Sequence, residues 1–362
     1  MKGIVNKIWI VFFITVSAIS NAQETDKSRI IESIIESHID KIDEQTDVAL
    51  IIEDLEGFLE NPININSTTA SELSKLYVLN DVQINKLLEY LTNYGPALSI
   101  FELKTIVGFT PDLLQKIEPF IWFGPREEAK KKDDIFKYGK NQLLLRTLGT
   151  LQKADGYIPN DDGETPYEGN RMRYYTRYKY EARDRFSAGV TAEKDPGETF
   201  FSGSNKQGFD FYSAHVSMNI SETFENISVG DFLVRAGQGL VLWQGYTSGK
   251  SENVLGISKT NQGIRPSTAV DENLFFRGAA TTLKFGKAKL SIFYSQKKDD
   301  GNIAGTDSTG FFITSLQTSG YHRTTSEIAD KNSVRNTNYG GLFSLNFSNL
   351  KVGATSLRTC SA

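Results

Sequence analysis

The period of apolar positions changes along the chain, and each change predicts a different kind of element. Lys2 and Lys7 precede an apolar run from Ile8 to Ile19, and small residues follow at Ser20-Asn21-Ala22. The run holds roughly 12 residues, short of the ~20 a spanning helix requires, and it has the length of the apolar core of an export signal cut before Gln23. From Ser28 the isoleucines at 30, 31, 34, 35, 39 and 42 recur at helical spacing, with Glu32, Glu36 and Lys41 between them, which predicts an amphipathic helix. A second, acidic helix is expected from Asp47 to Glu60. It stops before Asn61-Pro62, because the residue ahead of a proline resists the helical conformation.

The next segment repeats itself at an offset of 30 residues: Glu72, Leu73, Leu76, Lys86 and Leu87 correspond to Glu102, Leu103, Ile106, Lys116 and Ile117. Two copies of one helical unit are therefore expected, with short helices near 70–77, 81–92, 99–106 and 111–119. Thr69 with Glu72 and Ser99 with Glu102 have capping-box spacing, and Thr110-Pro111 places a cap before a proline at the first helical position. A charged connector, Glu127 to Lys137 with Lys130-Lys131-Lys132 inside it, follows.

Beyond it the period becomes two. Between Arg171 and Arg183, Met172, Tyr174, Thr176, Tyr178, Tyr180 and Ala182 fall on one face. Arg171, Arg173, Arg177, Lys179, Glu181 and Arg183 fall on the other, with Tyr175 the one intruder. A turn at Asp184-Arg185 leads into Phe186, Ala188, Val190 and Ala192 alternating with small or polar residues, and the pattern returns near 212–220, 288–294 and 343–347. Hairpins are expected where 275–285 meets 287–295 and where 342–347 meets 350–357. About ten strands fit between Asn141 and Leu357. Tyr and Phe are abundant on the apolar face, strands approach 10 to 13 residues, and short turns alternate with long polar loops such as Asp155 to Asn170 and Gln296 to Gly310. These features favour a membrane barrel with a polar lumen over a soluble sandwich.

Charge divides the chain in the same place. From Glu24 to Gly124 there are 18 acidic and 7 basic residues, net −11; with +2 ahead of the cleavage position and −4 overall, the rest carries +5. The expected architecture is α+β multidomain: 1–22 export signal, 23–60 acidic amphipathic helices, 61–124 a duplicated all-α module, 125–140 charged linker, 141–362 an antiparallel β-barrel-like region. The end of the chain, Thr359-Cys360-Ser361-Ala362, lacks a final aromatic strand residue, so the barrel is expected to be incomplete and the sequence a truncated form of a longer one.

The duplicated module resembles the paired helix-hairpin-helix domain of ComEA-type competence proteins. The likeness rests on Asn64-Ile65-Asn66, Ala70-Ser71-Glu72-Leu73, Tyr94-Gly95-Pro96, Glu102-Leu103, Val107-Gly108-Phe109 and Ile117-Glu118-Pro119-Phe120-Ile121. It covers about 60 residues and implies hairpin glycines whose backbone approaches a DNA phosphate. On that basis the DNA-contact candidates are Gly108, Phe109, Thr110, Asn80, Lys86 and Lys116. The hairpins here read Val78-Leu79-Asn80 and Gly108-Phe109-Thr110, so one of four family glycines is present. From Pro62 to Phe123 there are 4 lysines, no arginine and 6 acids, which disfavours a partner bound mainly through its phosphates.

A second resemblance joins module and body to uncharacterised Gram-negative envelope proteins. It is carried by Gly237-Gln238-Gly239-Leu240, Gly263-Ile264-Arg265-Pro266, Asp271-Glu272-Asn273, Phe276-Arg277-Gly278 and Gly320-Tyr321-His322-Arg323, and it implies location and architecture more than chemistry. Catalytic signals are weak. His38, His215 and His322 are the three histidines; no pair has metal-ligand spacing, so no metal, cofactor or catalytic residue is assigned. Gly237-Gln238-Gly239 reads as a bend, since a dinucleotide loop would need a third glycine and a following helix. The expectation is a non-enzymatic outer-membrane-associated protein with its helical module in the periplasm, structural or assembly in role, partnered by outer-membrane lipid and other envelope proteins. The alternative is a component binding or importing DNA or another anionic polymer, with Arg171, Arg173, Arg177 and Lys179 as lumen anion candidates. A more distant one is a hydrolase, which would need His215 or His322 beside a serine at the lipid boundary.

Overall fold

In the computed structural model the described residues are 29–35, 48–126, 139–182, 185–221, 223–243, 263–267, 272–307, 310–347 and 351–361. The export signal, His38 and the linker with its three lysines lie outside them. The chain divides into a helical unit and a β unit.

In the helical unit, α1 covers residues 29–35 and α2 covers Val48–Glu60. The duplication then appears element by element. α3, Ala70–Leu73, and α5, Ile100–Leu103, share the offset of 30, as do the first residues of α4, Asp81–Asn93, and α6, Pro111–Ile117. The core repeats with them: Leu73, Leu76, Leu79, Ile84 and Leu87 are buried with Leu103, Ile106, Phe109, Leu114 and Ile117, each contributing roughly 1.5–3 kcal/mol. Ile31, Ile34, Ile51 and Leu55 join the same core. Strands β1, Ile63–Asn64, and β2, Ile121–Trp122, pair in parallel and close the module on itself. Buried Asn66 reinforces the closure: its amide donates to Ala97 O and Gly124 O at 2.9 and 2.8 Å and accepts from Ala97 N at 2.8 Å.

The caps differ from expectation. Thr69 accepts from Glu72 N at 3.2 Å, but Glu72 turns to the Thr68 hydroxyl, and Ser99 makes no side-chain cap while Glu102 accepts from Leu98 N. The reciprocal boxes occur instead at Asn80–Gln83 and Thr324–Glu327, where the third helical side chain returns to the cap N–H, whereas Glu72 and Glu102 are turned to Thr68 and Leu98.

The β unit is built on a ten-stranded antiparallel sheet. Its strands are β3 Lys140–Gly149, β4 Met172–Ala182, β5 Phe186–Lys194, β6 Phe211–Met218, β7 Phe224–Arg235, β8 Gly263–Pro266, β9 Phe276–Phe285, β10 Ala288–Asp299, β13 Val334–Asn346 and β14 Lys351–Ser361. They follow the order β14-β13-β10-β9-β7-β6-β5-β4-β3, with β8 on β7. Phe232 of β7 has Pro266 of β8 on one edge and Phe276 of β9 on the other, so β8 takes up the edge that β6 leaves. Among the described residues β3 and β14 are each paired on one edge, and the sheet does not close.

Both expected hairpins form, Phe285↔Ala288 and Asn346↔Lys351 being their innermost pairs. The polar loop expected from Gln296 to Gly310 is replaced by strands. β10 runs on to Asp299 against Val334, and β11, Gly301–Asp307, pairs with β12, Gly310–Leu316, apart from the main sheet and with two register shifts. The terminal Thr359-Cys360-Ser361 belongs to β14 and pairs with 336–338.

Connections sort by end. Residues 183–185, 219–223, 286–287 and 347–350 join neighbouring strands at one end, while 150–171, 195–210, 236–275 and 300–333 run between strands at the other. Thr324–Glu327 caps the short helix α7, Thr325–Asp330, within the last of these.

Candidate functional site

Opposed residues in a ladder share a face, so the register tells which side chains accompany Arg177. From it Gln142 and Leu144 of β3, Thr191 of β5, Ser213 and His215 of β6, Ser228 of β7, Thr282 of β9 and Ser291 of β10 follow on one side. That polar side is the occluded one: Arg177, Lys179, Thr191, Ser213, His215, Ser217, Ser228, Ser291 and Ser295 are all buried. The opposite side carries Leu143, Tyr178, Val190, Val216, Val229, Ile292, Tyr294 and Phe343, all exposed. β6 reads buried and exposed in strict alternation, with Tyr212, Ala214, Val216 and Met218 outward. The sheet is therefore inverted relative to a water-soluble one, in which the apolar face is buried. One apolar island, Phe232, Phe276 and Phe293, interrupts the inner face.

Polar side chains of the inner face hydrogen-bond to one another across the strands. Ser228 Oγ donates to Ser217 at 3.0 Å, Thr282 and Ser291 hydroxyls lie 2.8 Å apart, and Ser187 Oγ is 3.1 Å from His215 Nε2. A Cβ on Gly189 would fall 2.6 Å from His215 Cε1, so only glycine at that position leaves the imidazole its place over β5. Tyr175, the intruder of the sequence pattern, lies inward under the Arg146 guanidinium at 5.8 Å.

Of the four lumen anion candidates, Arg173, Arg177 and Lys179 sit on this face. Arg177 donates to Gln142 Oε1 at 3.3 Å, and Lys179 is 2.8 Å from Glu181. Arg173 is paired with Glu193 and, at 3.2 Å, with Asp195. Arg171 stands one residue before β4, is exposed and donates to Leu151 O at 2.9 Å. Asp231 pairs with Arg277 at 2.7 Å on the outer side.

The six DNA-contact candidates are employed within the module. Gly108, at φ +96°, offers its carbonyl to Gln83 Nε2 at 2.8 Å, and Phe109 is buried. Asn80 and Thr110 cap α4 and α6. Lys86 pairs with Glu89 at 2.8 Å and Lys116 with Asp112 at 3.0 Å.

A cluster with no counterpart in the sequence reading lies where the long connections meet. His322 is buried, with Nδ1 2.5 Å from Asp210 Oδ2 and Nε2 2.7 Å from Asp300 Oδ2. Its backbone N–H donates to Glu198 Oε1 at 2.9 Å. Lys331 Nζ reaches the second Asp210 oxygen at 2.6 Å, and Asn332 N–H the second Asp300 oxygen at 2.7 Å. Glu272 lies on the Nε2 edge with Asp300, Glu198 on the Nδ1 edge with Asp210. Strand ends aim most of these groups: Asp210 immediately precedes β6, Asp300 immediately follows β10, and Glu272 stands just ahead of β9. Gly320, at φ +67°, turns the chain into Tyr321-His322, and a Cβ there would meet Glu272 Cγ at 3.3 Å. Glu327 accepts from Arg323 N and Thr324 N, fixing how the chain leaves His322.

Electrostatics follow from burial and pairing. Burial alone would lower His322, but the Asp210 and Asp300 carboxylates raise it to about 10, so without other ligands it is an imidazolium. Burial pushes both aspartates up; their bonds to His322, with Lys331 on one and the Asn332 N–H on the other, hold them below the ordinary carboxylate range. Burial raises Glu198 to about 7 against the N–H groups of His322 and Asp195. Burial raises Glu272 to about 9; His322 opposes the rise, and the neighbouring carboxylates add to it.

His322 is 112 positions from Asp210 and 22 from Asp300, separations that no spacing rule covers. The one trace in the sequence was that Asp271-Glu272-Asn273 and Gly320-Tyr321-His322-Arg323 stood out as motifs without an evident chemistry. Comparison with known protein families, curated proteins and solved structures returns no match.

Proposed function

We propose that the β unit is part of the wall of a membrane-embedded β-barrel in a bacterial outer membrane, non-enzymatic and structural or assembly in role, carrying a helix-hairpin-helix module on its periplasmic side. The carrying observation is the inverted sheet, with an apolar outer face exposed along seven strands and a polar inner face carrying side-chain hydrogen bonds. In water such an outer face would be an association surface far larger than monomers tolerate; against lipid it is the stable arrangement.

Two further features support this reading. Aromatic residues gather at both ends of the outer face. Tyr174, Phe200, Phe209 and Tyr212 make successive ring contacts at the end with long connections; Phe224, Phe285 and Phe347 are exposed at the end with short turns, where Tyr180 meets Phe186. The ordering of short turns at one end and long connections at the other is also that of outer-membrane barrels. The chain enters β3 at the short-turn end, which in such a barrel is periplasmic.

The test is fractionation of the expressed chain between outer membranes and the soluble phase. Recovery with outer membranes is the expected result. A monodisperse water-soluble protein would overturn the proposal.

A further inference from the structure

Divalent cations are held in proteins by nitrogen and oxygen donors converging from separate elements, with at least one ring nitrogen typical of transition-metal sites. In the β unit two three-residue groups have donor atoms within 4.8 Å of one another, and His322 belongs to both. The two edges of its ring are not equivalent. On the Nδ1 edge the acceptors are already engaged: Asp210 takes the Lys331 ammonium besides the ring, and both Glu198 oxygens accept backbone N–H groups, from His322 and Asp195. On the Nε2 edge Asp300 Oδ2 meets only the ring, and the Glu272 carboxylate has no hydrogen-bond partner among the described residues. Four carboxylates thus face one imidazole and the Lys331 ammonium. Lys297 is committed to Asp299 at 2.7 Å and to the carbonyls of Glu272 and Asn273, and Arg277, whose charge also acts on Glu272, to Asp231 at 2.7 Å.

We propose that the Nε2 edge of His322, with Asp300 and Glu272, is a binding site for a divalent transition-metal cation, and that Asp210 is the positioning residue that orients the ring from the other edge. The cation takes the place of the proton on Nε2 and of the proton that Glu272 carries near neutral pH, both of which leave to solvent, while Nδ1–H goes on donating to Asp210. This is the carboxylate–histidine–metal relay in which an outer acceptor fixes the tautomer. Donors around a tetrahedral Zn2+ stand ~3.3 Å apart given metal–ligand lengths of ~2.0–2.2 Å, so Asp300 Oδ2 must withdraw by roughly 0.6 Å from its present 2.7 Å contact. Three protein donors leave a position open to water. Because the ligands come from the segments before β9, after β10 and after β12, a bound ion would tie together two long connections, 236–275 and 300–333, at one end of the sheet. The inference does not depend on whether the sheet spans a bilayer.

The experiment is titration of the whole chain, refolded in detergent and freed of metal, with Zn2+ and with Co2+ as the spectroscopic probe. One equivalent should be retained through gel filtration, and Co2+ should give visible absorption bands of a low-coordinate nitrogen–oxygen site. Glu272→Gln and Asp300→Asn should weaken Zn2+ at least 100-fold, and Asp210→Asn by about 10- to 100-fold, the usual cost of losing an outer partner of a ligating histidine. Glu198→Gln and His215→Gln should retain the ion. Circular dichroism identifies any variant that fails to fold, and the Co2+ spectrum of the unsubstituted protein stands without the variants. Folded protein that retains no metal would overturn the proposal, as would loss of the ion in Glu198→Gln but not in Glu272→Gln.

Discussion

Val190 offers the sharpest test of the inverted sheet. It is outward and half-exposed at the middle of β5, four residues from either end of the strand, between Tyr178 of β4 and Ala214 of β6. Four residues are about 13 Å of strand, farther than an arginine can snorkel to reach water. If the face meets lipid, Val190→Arg places a guanidinium near the bilayer midplane at a cost of ~2–4 kcal/mol, or roughly 30- to 1,000-fold in the folding equilibrium. If the same face meets water, the substitution is an ordinary surface change, within about 0.5 kcal/mol. Urea unfolding in phospholipid vesicles, followed by tryptophan fluorescence, separates the two. A Val190→Arg protein as stable as its parent in vesicles would refute the assignment of that face to lipid.

Other expectations follow from particular contacts. Asn80→Ala should destabilise the helical module by about 1 kcal/mol because Asn80 forms the reciprocal cap with Gln83, whereas Ser99→Ala should change it by less than about 0.5 kcal/mol, as read from thermal melts; equal effects would contradict the capping geometry. The whole chain should bind duplex DNA no better than about 10⁻⁴ M at physiological salt, since the six candidate contacts are used internally; a micromolar, steeply salt-dependent complex in fluorescence anisotropy would reverse that view. Burial pushes Glu327 up, but Arg323 and two backbone N–H groups hold it below its ordinary value of 4.5. Its contribution is therefore complete above that value and lost as pH falls through the lower folded one. Protease cleavage within 320–331 should rise on acidification in the parent, and Glu327→Gln should be cleaved at the acid rate at every pH; identical pH profiles would exclude the contact as the cause.

The helical repeat and the period-two strands could be read directly from the sequence, because both depend on neighbours within a few positions. The offset of 30 predicted paired helices with matching core residues, and Leu73 with Leu103 and Leu79 with Phe109 are buried as matched pairs. Alternation along 171–183 placed Tyr178 and Arg177 on opposite faces, as the ladder has them. Local pattern also misled: Ser99 has a capping-box spacing yet makes no side-chain cap, and the polar stretch after Gln296 continues as strand, since cross-strand partners rather than residue polarity decide pairing. Only tertiary structure decided which face is occluded, that Glu193 meets Arg173 while Asp231 meets Arg277, and that His322 stands between Asp210 and Asp300. Those three outcomes depend on which strand ends and connections become neighbours in space, a matter of sheet order and long-range closure that no short window of sequence encodes.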